Sequence, residues 1–270
     1  MATTATTITP AITHDRRGWA DPLRDATIFI VRSTRHSLRS VDALVTSIAL
    51  PVVILLLFVY VFGGALSPTG DYVDYVVPGI ILLCAGFGSS TTAIKVNEDM
   101  TNGVIDRFRS MPIAGSAVLT GHVVASVMRN LVSTVVVLGV ALAVGFRPQG
   151  DVLAWLAVAG VLTLYMTAIS WLAAAFGLVA GSAEGAGAFS FFIMFLPYLS
   201  SAFVRTDTMP SVLRGVADHQ PVTPITETLR GLMMGTPVGD DWMVALAWCL
   251  GGILLGWSVA ASLFGRRTAR

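Results

Sequence analysis

Seven stretches of the chain run 17 residues or more without an Asp, Glu, Lys or Arg: 43–70, 75–94, 110–128, 130–146, 152–183, 185–204 and 242–265. About 20 apolar residues in a helix cross the roughly 30 Å hydrocarbon core of a bilayer. The runs lack the strict two-residue alternation of a membrane β-barrel. They therefore predict an all-α membrane protein. Arg129 divides two of the runs, and no turn signal separates 110–128 from 130–146. One helix whose membrane core begins near 126 accounts for both, with Arg129 close to an interface where its side chain can snorkel. The pattern thus predicts six transmembrane helices, near 44–64, 75–95, 120–146, 152–180, 186–205 and 242–264, forming one transmembrane domain over 43–265. Pro51 is expected to bend the first of them.

The interruptions carry the remaining information. Residues 1–22 read as a disordered tail; the first 13 are rich in Thr and Ala, and no basic region precedes an apolar core. Over 23–42, Arg32, Arg35 and Arg39 fall on one helical face beside a more apolar stripe of Val31, Thr34, Leu38 and Val41. This predicts an interfacial amphipathic helix with its arginines toward anionic headgroups. Between the second and third spans lies 97–112. Asn97 is a good N-cap there, and Glu98 and Asp99 suit the start of a helix. Arg107 and Arg109 suit its end, Pro112 stops it, and Ile105 and Phe108 form an apolar edge. A short cytoplasmic helix between two spans suits docking to a partner. In the last long connection, Met209-Pro210 opens a turn, 211–218 can form a short helix, the stretch from Asp218 to Pro224 breaks it, and 225–234 can form a second. Such short outer helices can dip into the bilayer where protein protects them.

Charge sets orientation. Twelve of the 17 basic residues lie in the N-terminal region, around 95–109 and in the basic tail 266–270, whereas four (Arg147, Arg205, Arg214 and Arg230) lie on the other side. The positive-inside rule then puts both termini in the cytoplasm. Charged residues make up only 12% of the chain, about half the usual share. That composition excludes a soluble domain with charge on every surface helix.

Candidate chemistry is sparse. His14, His36, His122 and His219 have no matching cluster of carboxylates, cysteines or motif serines. Cys84 and Cys249 lie inside apolar runs and read as small buried hydrophobes rather than a disulfide or metal site. No enzyme constellation stands out. A phosphate-binding loop needs Gly-Lys-Ser/Thr, and the only lysine, Lys95, sits between Ile94 and Val96. ATP, if used, binds another subunit. Few charges fall within the spans, which argues against an ion-coupled carrier. Gly177/Gly181 and Gly252/Gly256 are spaced for close helix approach.

Two segments carry a family likeness. One runs from Asn97 to Pro112, with Gly103, the paired arginines and Met111-Pro112. The other runs from Phe195-Leu196-Pro197-Tyr198 through Thr208-Met209-Pro210 and Gln220-Pro221-Val222-Thr223-Pro224 to Glu227-Thr228-Leu229-Arg230-Gly231-Leu232. Over roughly 23–265 the chain resembles the ABC type-2 permeases, in particular the actinobacterial daunorubicin-resistance-like branch. It departs from the common pattern at Ser201, where glycine is frequent, and at Arg205, where proline is. The resemblance implies a six-span permease in the bacterial cell membrane that pairs with a second copy or a paralogue and with a cytoplasmic ATPase subunit. ATP and Mg would sit on that ATPase, and no cofactor on this chain. It implies an ATPase-coupling helix containing Glu98, Asp99, Gly103, Arg107, Arg109 and Pro112, and an outer re-entrant region containing Pro210, Pro221, Pro224, Glu227 and Arg230. The expected activity is efflux of hydrophobic or amphipathic drugs by alternating access. Export of a lipid or cell-wall glycan precursor is the alternative, and a membrane enzyme or assembly factor a more distant one. Membrane lipids and a small hydrophobic substrate are the other expected partners; nucleic acid is not.

Overall fold

The computed structural model of the protein describes residues 41–66, 72–101 and 115–268, and all regular structure among them is helical. Helix α1 (Val41–Leu56) continues through a π-helical stretch, Leu57–Phe62, into the short α2 (Gly63–Leu66). Then come α3 (Tyr72–Thr101), α4 (Gly115–Val144), α5 (Val152–Val179), α6 (Ala183–Tyr198), α7 (Ser211–His219), α8 (Val222–Met234) and α9 (Asp241–Thr268). The predicted tail, most of the interfacial helix over 23–42, and 102–112 of the predicted coupling helix lie outside the described residues.

Among the described residues, five helical segments are long and apolar enough to cross a membrane: Ile48–Leu66, Tyr72–Thr101, Val118–Val144, Val152–Val179 and Asp241–Phe264. The fifth predicted span, near 186–205, is different. Its helix α6 has 16 residues, about 24 Å at 1.5 Å per residue. Pro197 lies in its last turn, where it lacks the N–H that would serve Ile193 O, and the turn at Ser200–Phe203 is buried. The end of the first span also differs from expectation, because the ladder widens into a π-helical stretch beyond Pro51.

Local chemistry sets the other ends. Asp151 caps α5 by accepting from the Ala154 N–H at 2.8 Å, and Ser182 caps α6 by accepting from Gly185 N–H at 3.1 Å. Helix α8 starts three residues before its predicted position. Pro224 falls in its first turn, where a missing N–H costs nothing. It ends at Gly235, whose φ of 66° is left-handed, and Thr236 N–H closes the end on Gly231 O at 2.9 Å.

Helix α3 is the axis of the bundle: 83% of its apolar window is buried, against 17% for the first span and 22% for α9. Lipid tails give helices no hydrophobic reason to associate, so small residues and polar contacts must hold them together. Along α6 the contacts run antiparallel, with Gly187 by Ile94, Ile193 by Gly86 and Ala202 by Gly79. On the α5 side they run parallel, and a Cβ on Gly177 would lie 2.3 Å from Ala93 O. Gly252 and Gly256 seat α9 on Ala168 and Trp171 of α5. That pair is spent inside the chain. Cys84 and Cys249 are both buried in the apolar core.

Candidate functional site

Three polar regions are arranged along α3. At one end, which we call the plate end, α7, α8 and the 199–204 turn meet the bundle. Arg230 of α8 is their hub. Its Nε and Nη2 donate to Tyr75 O at 3.2 and 3.1 Å, and Nη2 also donates to Ser201 O at 2.9 Å. Nη1 donates to Glu227, and the guanidinium sits 3.8 Å from the Tyr75 ring centroid. Tyr75 in turn donates its hydroxyl to Ser201 O at 2.8 Å, and Tyr72 donates to Phe203 O at 2.8 Å. The planar fork of arginine allows one side chain to hold two helices and a turn. Gln220 Nε2 donates to Leu196 O and Leu199 O, closing carbonyls at the end of α6. Of the residues assigned to this region by resemblance, Glu227 and Arg230 meet directly. Pro224 is buried in the first turn of α8, Pro221 precedes that helix, and Pro210 precedes α7. Arg205 and Asp207 form an exposed pair at 2.8 Å; the hydrogen bond from Arg205 holds the Asp207 carboxyl below its ordinary range.

The middle region is a buried polar seam between α3, α4 and α5. Ser89 lies 3.2 Å from Ser170, which donates to Ser126 at 2.9 Å. Asn130 Nδ2 donates to Ser89 Oγ at 3.0 Å and Ala85 O at 3.3 Å. Arg129 Nη2 donates to Gly88 O and Thr91 Oγ1, both at 2.7 Å. The expectation that Arg129 snorkels at an interface is wrong. The residue is 2% exposed, and α4 starts at Gly115, which carries Arg129 well inside the apolar span Val118–Val144. Backbone and hydroxyl oxygens of α3 take the place of water. Seam residues such as Ser89, Ser126, Asn130 and Ser170 escaped sequence reading because each is an ordinary small or polar residue within an apolar run. Their alignment across three helices is visible only in the packed bundle.

At the opposite end, the predicted start of the coupling helix is corrected. Asn97, Glu98 and Asp99 are not the first turn of a separate helix; α3 runs through them without a break to Thr101. Asn97 caps nothing on its own strand of chain. Its Nδ2 donates to Gly177 O at 3.1 Å and Ala180 O at 2.7 Å, satisfying carbonyls at the end of α5. Asp99 Oδ2 lies 2.8 Å from His122 Nε2 of α4, whereas Glu98 is exposed. His122 is therefore no ordinary surface histidine. Gly103, Arg107, Arg109 and Pro112 lie outside the described residues.

Long apolar helices around a buried central helix that bonds its neighbours through polar side chains define a multi-pass α-helical membrane protein. The ABC-2 type transporter family matches residues 25–234, and the chain belongs to that family. It is similar to the daunorubicin resistance ABC transporter permease protein DrrB1 of Streptomyces coeruleorubidus, with 31% identity over 209 residues, 77% of this chain and 73% of the relative. It is also similar to the probable doxorubicin resistance ABC transporter permease protein DrrC of Mycobacterium tuberculosis strain H37Rv, with 28% identity over 218 residues, 79% of this chain and 78% of the relative.

Proposed function

We propose that the chain is the permease subunit of an ATP-driven exporter that moves hydrophobic or amphipathic drugs out across a bacterial cell membrane. The observation that carries this reading is the likeness to two drug-resistance permeases over more than three-quarters of the chain. ATP and Mg belong to a separate cytoplasmic ATPase, since Lys95, the only lysine, has no phosphate-loop context. The end of the bundle holding the 102–114 connection is cytoplasmic, in line with the arginine asymmetry. The ATPase docks there on Glu98 and on the stretch containing Gly103, Arg107, Arg109 and Pro112. Asp99 is withdrawn from that docking set, because His122 engages its carboxylate. The plate end faces outward. Helix α6 serves as the fifth of six crossings; its shortness is tolerable because the turn beyond it is covered by protein rather than lipid. A second permease copy or a paralogue completes the pathway, and the central helices exchange access as the ATPases close.

The test is reconstitution of the permease with its copurifying ATPase in liposomes. Hydrolysis and transport are measured against a panel of amphipathic drugs, lipids and glycan precursors. Stimulation by amphipathic drugs is expected. Stimulation only by lipid or glycan precursors would replace the substrate class, and turnover of a compound without any ATPase would overturn the permease reading. A periplasm-active reporter fused after Arg270 is expected to stay silent; activity there would reverse the orientation.

A further inference from the structure

The pairing of Asp99 with His122 has a place in the fold that gives it a role. Asp99 stands two residues before the end of α3, and His122 stands in the second turn of α4. The 13 residues between these helices, 102–114, form the connection read above as the ATPase-docking segment. The imidazole is 14% exposed and the carboxylate 35%, so the 2.8 Å contact is shielded from water on the histidine side. Asn97, half a turn away, ties α3 to the end of α5. Neighbouring residues of α3 thus fasten it to two different helices at this level.

Thirteen residues can reach about 3.3–3.6 Å each when extended, so covalent linkage alone does not fix the end of α3 relative to the start of α4. A force on the connection could splay the end of α3 from the start of α4, beyond the bonds that Arg129 and Asn130 make between them, and be absorbed there. A polar bond across its base removes that freedom, because the two helices then move as one body. We propose that Asp99 and His122 are a positioning pair that passes displacement of the connection to α3 and α4 together, and that it sets the transport obtained per ATP hydrolysed. The proposal rests on the reading that the connection docks an ATPase. An interhelical pair can also serve stability alone, and the experiment must separate the two roles.

The permease–ATPase complex is reconstituted in liposomes as wild type, His122→Ala, His122→Gln and the exchange Asp99→His/His122→Asp. Drug transport, ATP hydrolysis, retained ATPase and thermal stability are measured on each. His122→Ala is expected to keep its ATPase but lose about fivefold or more in transport per ATP, the lower range of couplings between distant sites. His122→Gln, which can still donate to Asp99, should retain most of the coupling, and the exchanged pair should regain it. An unchanged ratio in His122→Ala, or a loss that tracks thermal stability and is not regained by the exchange, overturns the proposal. A wild-type chain that holds no ATPase removes the functional reading and this role with it. A wild-type complex that couples, beside variants that couple equally well, removes only the role of the pair.

Discussion

Gly88→Ala tests whether the buried seam is packed as described. A Cβ on Gly88 would lie 1.6 Å from Asn130 Oδ1 and 2.7 Å from its Cγ. Both distances are far inside contact, so Asn130 must turn away. In turning it gives up its bonds to Ala85 O and Ser89 Oγ, each worth about 0.6 kcal/mol on average between membrane helices. The displaced side chain then crowds its neighbours, at about 1–3 kcal/mol for an overpacked core. Against this, Ala is preferred to Gly in a helix by about 0.8–1.0 kcal/mol. The net expectation is destabilisation by about 1–3 kcal/mol. Equilibrium unfolding in mixed micelles, followed by far-UV circular dichroism, measures it. The decisive comparison is a double-mutant cycle. In an Asn130→Ala background the clashing atoms are gone, and Gly88→Ala should become neutral or mildly stabilising. An equal cost in both backgrounds would refute the argument, because the penalty would then come from somewhere other than Asn130.

Gly177→Ala should cost at least about 2 kcal/mol, near the middle of the overpacking range, because the new methyl meets the Ala93 backbone at 2.3–3.0 Å. No side-chain truncation should rescue it, while Gly139→Ala, with nothing within 4 Å, should leave the unfolding midpoint unchanged or raise it. Arg230→Lys keeps the charge but cannot fork between Tyr75 O and Ser201 O. It should destabilise by about 1.5–3 kcal/mol, the range for a charged hydrogen bond, and should raise thiol labelling of a Ser201→Cys reporter, and unchanged labelling would exclude the hub role. Asp207 carries a depressed pKa from its hydrogen bond with Arg205. Its contribution is complete above the ordinary carboxylate pKa and disappears as pH falls through the depressed value, so a carbon-13 titration should place the Asp207 midpoint below the ordinary aspartate range, and Arg205→Ala should move it up.

The helical membrane class was legible because lipid forbids charge, and charge-free runs are a property of sequence alone. The short helices α7 and α8 were legible through Pro210, Pro221 and Pro224, whose backbone limits act locally. What escaped were features set by partners distant in sequence. Asn97 before two acidic residues fits a local capping rule, yet the carbonyls of Gly177 and Ala180, 80 and 83 residues away, claim its amide. Arg129 in an apolar run suggests an interface by its cost in lipid, yet Gly88 O and Thr91 meet that cost inside the bundle. Which helix forms the axis also escaped, because the 75–94 run of α3 is no more apolar than its neighbours. Its small residues allow close contact on several sides at once, and only packing reveals that all of those sides are used.

Helix α3 joins the plate to the opposite end, and its construction bears on how movement could travel between them. From Tyr75 to Asp99 the helix covers 24 residues, about 36 Å of axis, most of them buried, which discourages bending. Its ladder is interrupted within this length at Pro78, which lacks the N–H that would serve Asp74 O. Compliance therefore concentrates one turn from the plate. A weak turn facing lipid would strand backbone carbonyls without partners. Here the turn is clasped by protein: Arg230 holds Tyr75 O, next to the Asp74 carbonyl, and the Asp74 side chain accepts the Arg147 N–H at 3.0 Å. A displacement applied at Asn97 and Asp99 meets a stiff, well-packed rod until it reaches the turn that Arg230 clasps.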